Sequence, residues 1–151
     1  MRRHGLLIMV LLSLLLAACS AGGESGSASD AASGEGTIGK PVEVAGGAYS
    51  DISVDELQAM FENKDFLFVN VHIPFEGDIH DTDLSIAYDE INQHLEQLPE
   101  DKNAKIVLYC RSGRMSSIAA EELVKAGYTD VYNLAGGFNA WEAAGLPIEG
   151  R

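Results

Sequence analysis

The chain has 151 residues, 46% of them hydrophobic, and a formal net charge of −13 at pH 7. This length accommodates a single domain of ordinary size. The excess of acidic groups disfavours nucleic acids and other anionic surfaces as partners, so an anion site would have to be built locally from a few basic residues.

The first 18 residues have the order of a secretory signal peptide. Arg2 and Arg3 precede an apolar run at 6–16, which is short for a membrane span, and small residues follow it. The stretch from Leu16 to Cys19 resembles a bacterial lipobox, which implies cleavage before Cys19 and acylation of that residue. Several acyl chains would hold the protein stably on a membrane. We therefore predict an extracytoplasmic protein, lipid-anchored to a bacterial membrane in the periplasm or on the outer cell surface; an ordinary cleaved signal is the alternative.

Residues 19–47 are predicted to be the lipidated Cys19 followed by a flexible tether. They consist mostly of Gly, Ala and Ser, with scattered charges and no hydrophobic periodicity. Such a segment buries too little apolar surface to fold. The folded domain is therefore predicted to occupy residues 48–151.

Within that domain, short apolar runs alternate with amphipathic segments. A weak strand near 49–52 precedes a helix at 53–63, which opens with the capping-box sequence Ser53-Val54-Asp55-Glu56. The remaining predicted elements are a strand at 66–71, a helix at 88–98, a strand at 105–109, a helix at 116–126, a strand at 131–134 and a helix at 138–144. Continuous apolar strands that alternate with helices indicate an α/β fold, predicted here as a parallel five-stranded sheet with helices on both faces.

Cys110 follows directly after the predicted strand at 105–109, at the carboxyl end where such sheets bind ligands. If Cys19 is lipidated, Cys110 has no disulfide partner within the chain. The six residues 110–115 can curl so that backbone N–H groups and the helix start form a positive cup, and Gly113 permits the tight turn. Arg111 and Arg114 add positive charge, which predicts a nucleophilic thiolate near neutral pH. A turn whose arginines merely project into solvent is the alternative.

The sequence CRSGRMSS at 110–117 resembles the active-site loop of the rhodanese sulfurtransferase family, which begins with the catalytic cysteine. Segments 70–76, 132–138 and 141–147 resemble three further motifs of that family in the same order. The resemblance covers about residues 48–150. It implies that Cys110 takes sulfur from a small sulfur-containing anion such as thiosulfate and carries it as a persulfide to cyanide or to a thiol, including a protein thiol. It implies no metal or nucleotide cofactor.

The resemblance also assigns roles within the loop. Cys110 would be the catalytic nucleophile, and the substrate-binding residues would be Arg111, Ser112, Gly113, Arg114, Met115 and Ser116. The chain departs from the family pattern at Asn70 and His72, where many members have Asp and Arg, and in the acidic segment 77–83. The first departure predicts weaker support of the loop, and the second leaves the identity of the donor open.

Other functions remain as alternatives. A persulfide carrier without turnover, or a sulfur-sensing interaction module, would use the same Cys110. Phosphatases and arsenate reductases of the same fold have a loop one residue longer, with Arg where this chain has Ser116. A metal site from Asp78, His80, Asp81 and Asp83 would not fit the spacing of an EF-hand. His72 suits a general base, a contact to the sulfur donor or, more commonly for a lone histidine beside a buried strand, a structural hydrogen-bonding residue.

Overall fold

A computed structural model describes residues 38–151. The signal peptide, the lipidation of Cys19 and most of the tether fall outside these residues and stay predictions. Within 38–151, no helix combines the length and apolar character that a membrane crossing requires.

One mixed sheet forms the centre of the domain. Its strands are β1 (Lys40–Val44), β2 (Gly47–Ile52), β3 (Leu67–Asn70), β4 (Leu84–Ser85), β5 (Ile106–Tyr109) and β6 (Val131–Leu134), in the order β1-β2-β6-β5-β3-β4. β1 and β2 are antiparallel, and every other neighbouring pair is parallel. The predicted α/β class is confirmed, but this sheet has six strands and is mixed, whereas the sequence predicted five parallel strands.

The extra antiparallel strand lies where the sequence predicted a tether. β1 pairs along its whole length with β2, and Val42 and Val44 pack against the core while Lys40, Pro41 and Glu43 are exposed. Pro41 is tolerated because an edge strand needs hydrogen bonds on one side only. The prediction that 19–47 is entirely a tether is therefore wrong for Lys40–Val44, since backbone pairing recruits a segment with little apolar surface of its own.

Three helices form close to their predicted positions: α1 (Val54–Phe61), α2 (Arg114–Lys125) and α3 (Gly137–Ala143). Ser53 and Glu56 make both hydrogen bonds of a capping box at the start of α1. The predicted helix at 88–98 is wrong. That segment forms two 3₁₀ turns, Ile91–Gln93 and Leu95–Gln97, in which Ile91 is the only buried residue and neither turn has a side-chain cap. So little burial cannot offset the unfavourable nucleation of an α-helix.

Side chains of β5 alternate between two hydrophobic cores. Ile106 and Leu108 face the core that includes α2, whereas Val107 and Tyr109 face the core that includes α1 and α3. Helices therefore cover both faces of the sheet, as predicted. Because β5 lies between β6 and β3, the residue that follows its last position, Cys110, is held over the middle of the sheet.

Candidate active site

The loop that follows β5 is shorter than predicted. α2 begins at Arg114, so only Cys110, Arg111, Ser112 and Gly113 separate the strand from the helix. Gly113 precedes the helix with a φ of 88°, in the left-handed region that favours glycine. Arg114 and the two residues after it therefore belong to the first turn of α2, where backbone N–H groups lack partners within the helix.

The Cys110 side chain lies under this turn, and the residue is 1% exposed. The backbone N–H of Gly113 donates to Sγ at 3.2 Å, and Oγ of Ser116 lies 3.4 Å from Sγ. Oγ of Ser116 is also 3.2 Å from the carbonyl oxygen of Gly113. A hydroxyl has one proton to donate. When Cys110 carries a neutral thiol, Ser116 can donate to Gly113; when the sulfur is anionic, both Ser116 and the Gly113 N–H can donate to it.

The start of α3 fixes the backbone of the same loop. The N–H of Phe138 donates to the carbonyl oxygen of Cys110 at 2.9 Å, and the N–H of Asn139 donates to that of Arg111 at 3.0 Å. Gly137 makes this approach possible, because a Cβ at that position would lie 2.0 Å from the Cys110 oxygen. Gly137 is thus required by backbone packing against the cysteine.

A cavity of about 150 Å³ opens over the cysteine. Its lining residues are His72, Cys110, Arg111, Ser112, Arg114 and Met115. The structure therefore brings together most of the site residues predicted from the sequence. Gly113 and Ser116 differ from the others, because they contact Sγ directly and do not line the cavity.

The two arginines of the loop have different surroundings. Nη1 of Arg111 donates to Oε1 of Glu76 at 3.1 Å, and the Arg111 side chain is 58% exposed. Arg114 makes no ion pair with any residue of the part of the chain that the structure describes. The positive charge of Arg111 is thus partly neutralised, and Arg114 is the cation available to an anion in the cavity.

Glu76 is a residue of this site to which the sequence analysis gave no role. Its Oε1 accepts the bond from Arg111, and its Oε2 lies 3.0 Å from Nε2 of His72. It therefore links the loop after β3 to the cysteine loop. The available sequence signal was its place in segment 70–76, four residues after His72.

Asn70 positions the segment that carries His72 and Glu76. Its Nδ2 donates to the carbonyl oxygen of Gly77 at 3.0 Å and to Oδ1 of Asp78 at 2.8 Å, and its Oδ1 accepts from the N–H of His72 at 2.9 Å. An ionised Asp could not make the two donor contacts. Asn70 is therefore well matched to Gly77 and Asp78, and its contacts hold the loop after β3.

Side chains of the acidic segment 77–83 make contacts within the fold. Burial raises the pKa of the Tyr109 hydroxyl above its ordinary value, and this neutral hydroxyl donates to Asp78. Asp83 accepts from Lys64 and from the N–H of Phe68, while the His80 ring packs beside the aromatic rings of α1 and α3. Within 38–151, no three His, Cys, Asp or Glu side chains come together as metal ligands.

Comparisons with known proteins show which proteins this chain resembles. A sulfurtransferase of Allochromatium vinosum is 37% identical over 94 residues, which are 60% of this chain and 85% of the relative. The thiosulfate sulfurtransferase GlpE of Vibrio cholerae is 35% identical over 100 residues, 65% of this chain and 92% of the relative. The crystal structure of a rhodanese-like domain protein from Staphylococcus aureus has a TM-score of 0.54 at 32% identity, covering 66% of this chain and 97% of that one.

The family model described as "Rhodanese-like domain" matches residues 53–144. This range contains every helix and strand from α1 to α3, together with Cys110 and the residues around it. It also spans more than half of the chain, and the chain therefore belongs to the rhodanese-like family.

Proposed function

We propose that this protein is a sulfurtransferase that moves sulfane sulfur from a small anionic donor such as thiosulfate to a thiol or cyanide through a persulfide on Cys110. The observation that carries the proposal is Sγ of Cys110 beneath a small cavity, with the N–H of Gly113 and the hydroxyl of Ser116 within hydrogen-bonding distance. The names of the two curated relatives support the reaction class, and that of the second supports thiosulfate as a donor.

In the first half of the reaction, the Cys110 thiolate attacks the outer sulfur of thiosulfate. A bond forms between Sγ and that sulfur, and the sulfur–sulfur bond of thiosulfate breaks, so that its electron pair leaves on sulfite. The product is an anionic persulfide on Cys110. The Gly113 N–H and the Ser116 hydroxyl, held in place at the start of α2, would stabilise negative charge on Sγ, both in the thiolate that attacks here and in the thiolate released in the second half.

Arg114 would position the donor during this step. It lines the cavity, and no carboxylate of residues 38–151 pairs with it. Arg111 also lines the cavity but is bonded to Glu76. Arg114 therefore contributes most to the binding of an entering dianion, since a guanidinium forms strong charge-assisted hydrogen bonds with anionic oxygens.

In the second half, the acceptor attacks the outer sulfur of the persulfide. The bond between that sulfur and Sγ breaks, and Cys110 leaves as a thiolate ready for another cycle. The transferred sulfur exchanges one bonded partner for another in each half and is neither oxidised nor reduced, so the cycle needs no separate oxidant or reductant. A persulfide carrier would share the first half and differ only in how the sulfur leaves.

Intact mass measurement tests the proposal directly. Wild-type protein treated with thiosulfate should gain one sulfur atom, and Cys110→Ser should gain none and lose thiosulfate-to-cyanide turnover. Circular dichroism on both proteins checks that the variant is folded. A wild-type protein that gains no sulfur would contradict the proposal, whereas a gain without repeated turnover would indicate the carrier.

A further inference from the structure

Arg111 lies between two cavities. One is the cavity over Cys110, and the other, of about 440 Å³, is lined by Arg111 together with residues that include Glu76, Glu142 and Arg151. Nη1 of Arg111 donates to Oε1 of Glu76 at 3.1 Å, and Glu76 lines the larger cavity but not the one over Cys110. A carboxylate outside the cavity over Cys110 thus holds one of the arginines that line it.

Glu76 is fixed in this position by two other contacts. Its Oε2 accepts from Nε2 of His72 at 3.0 Å, and its backbone carbonyl accepts from Nε of Arg151 at 2.8 Å. The His72 side chain is 7% exposed, so a movement of the Glu76 carboxylate would leave a buried donor without its acceptor, which is costly. Glu76 therefore stays in place when a sulfur donor enters, and its charge continues to offset that of Arg111.

The charge balance of the cavity follows from these contacts. Of the two arginines in the lining, Arg111 is offset by Glu76, whereas Arg114 makes no ion pair with any of residues 38–151. A donor with one negative charge matches Arg114. A dianion brings a second negative charge that the paired Arg111 offsets only weakly and that the Cys110 thiolate repels. An uncompensated charge on one ligand is a common source of selectivity against it.

We propose that Glu76 sets the specificity of the site for the charge of the sulfur donor: by holding Arg111, it favours donors with a single negative charge over dianions. The inference rests on the proposed sulfur transfer through Cys110. Glu76 would act through Arg111 and touch neither reacting sulfur, so it is a positioning residue.

Organic thiosulfonates have the chemistry that this charge balance fits. They contain the same sulfur–sulfur bond as thiosulfate, but an organic group replaces one charged oxygen and leaves a single negative charge. The Cys110 thiolate forms a bond to the outer sulfur, the sulfur–sulfur bond of the donor breaks, and its electron pair leaves on a sulfinate. The product on Cys110 is the same anionic persulfide, and no other reactant is needed.

The variant Glu76→Gln tests this role. Its amide oxygen can accept from Nε2 of His72, whereas its amide nitrogen cannot accept from Arg111, so the variant keeps the buried contact and releases the arginine. With cyanide as acceptor, kcat/KM is measured for thiosulfate and for benzenethiosulfonate at low ionic strength. We expect the thiosulfate-to-benzenethiosulfonate ratio to rise roughly fivefold, the upper range for an exposed ion pair. The rise should shrink in about 0.5 M salt, because salt screens exposed charges.

Glu122→Gln is the matched control. Both Glu122 oxygens are also bonded, one to Lys125 and one to Asn92, and its side chain is 33% exposed, against 32% for Glu76. Glu122 lies on α2 eight residues after Arg114, which is about 12 Å along a helix. The variant removes the same charge from the protein, and its ratio should match the wild type.

Three results would overturn the role of Glu76. An unchanged ratio in Glu76→Gln at low ionic strength would show that Glu76 does not select the donor. An equal rise in Glu122→Gln would show that the net charge of the domain is responsible instead. Finally, Glu76→Gln should lose most of its effect when it is combined with Arg111→Ala, and a full effect in the double variant would show that Glu76 does not act through Arg111.

Two further measurements separate the possible failures. Intact mass is measured after each donor: a wild-type protein that gains no sulfur from either contradicts the proposed function itself, whereas a gain of sulfur with an unchanged ratio in Glu76→Gln contradicts only the role of Glu76. If circular dichroism shows that Glu76→Gln does not fold, Glu76→Ala removes the same charge. The same rise in the ratio is expected, and a wild-type ratio in Glu76→Ala would refute the proposal.

Discussion

Replacement of Gly137 by Ala tests how the start of α3 holds the cysteine loop. A Cβ at this position would lie 2.0 Å from the carbonyl oxygen of Cys110, a distance that real Cβ contacts do not reach. The carbonyl would have to move about 1 Å to restore an acceptable contact. Such a movement would stretch or break the two hydrogen bonds that Cys110 and Arg111 accept from the start of α3.

The expected loss of stability follows from three contributions. A φ of 51° costs an alanine roughly 1–2 kcal/mol. Loss of the two hydrogen bonds adds about 1 kcal/mol each, and the steric displacement in a packed region adds roughly 1–3 kcal/mol. Gly137→Ala should therefore lower the free energy of unfolding by about 5 kcal/mol, which is a large part of the 5–15 kcal/mol typical of a domain.

Gly145→Ala is the matched control at the other end of α3. Gly145 has a φ of 79°, but a Cβ there meets nothing within 4 Å, so only the backbone cost of roughly 1–2 kcal/mol applies. Urea unfolding of both variants gives the free energies, and intact mass after thiosulfate shows whether Cys110 still takes up sulfur. If the two variants differ by less than about 1 kcal/mol, the close approach of α3 to Cys110 is not what the glycine serves.

Two further predictions concern charge. Arg114→Ala should raise the KM for thiosulfate about tenfold, which corresponds to the loss of one charge-assisted hydrogen bond. Arg111→Ala should raise this KM less, because Arg111 is paired with Glu76. Equal increases of the KM in steady-state assays would refute the distinction between the two arginines. At the start of α1, the hydrogen bonds from Ser53 lower the pKa of Glu56. Because its folded-state value lies below the unfolded one, the carboxylate stabilises the fold above about pH 4.3, and this contribution is lost as the pH falls through the folded value. Glu56→Gln keeps an amide at the capping-box position but removes the negative charge at the start of the helix. It should thus reduce stability by roughly 0.3–1 kcal/mol at pH 7 and by less at pH 3, as measured by urea unfolding, and an equal reduction at both would count against a role of the charge.

Local sequence patterns predicted the position of the cysteine well. An apolar strand followed by Cys110 and an amphipathic helix is encoded by neighbouring residues, because strand burial and helix periodicity are local properties. The same holds for the capping box at Ser53, which the structure contains. The start of α2 was placed two residues late: the helix begins at Arg114, directly after Gly113, whose left-handed φ of 88° ends the turn.

The sequence predicted the structure of segments with few buried residues less well. Lys40–Val44 has only two half-buried apolar residues, and its strand exists because the edge of β2 offers backbone partners. Segment 88–98 has helix-like spacing, but too few of its residues are buried for that spacing to produce a helix. In both cases the outcome depends on the neighbouring surface and not on the segment itself.

The amino-acid sequence by itself determined which residue is the candidate nucleophile, the α/β class of the domain and the excess of acidic charge around a basic loop. Only the tertiary structure decided that Glu76 bonds Arg111 from 35 positions away. It also decided that Arg114 is left without a carboxylate partner in residues 38–151, and that Nδ1 of His72 is buried without a partner there. The physical reason is the parallel pairing of β3 with β5. This pairing brings the loops after two distant strands to the same edge of the sheet, where their side chains meet.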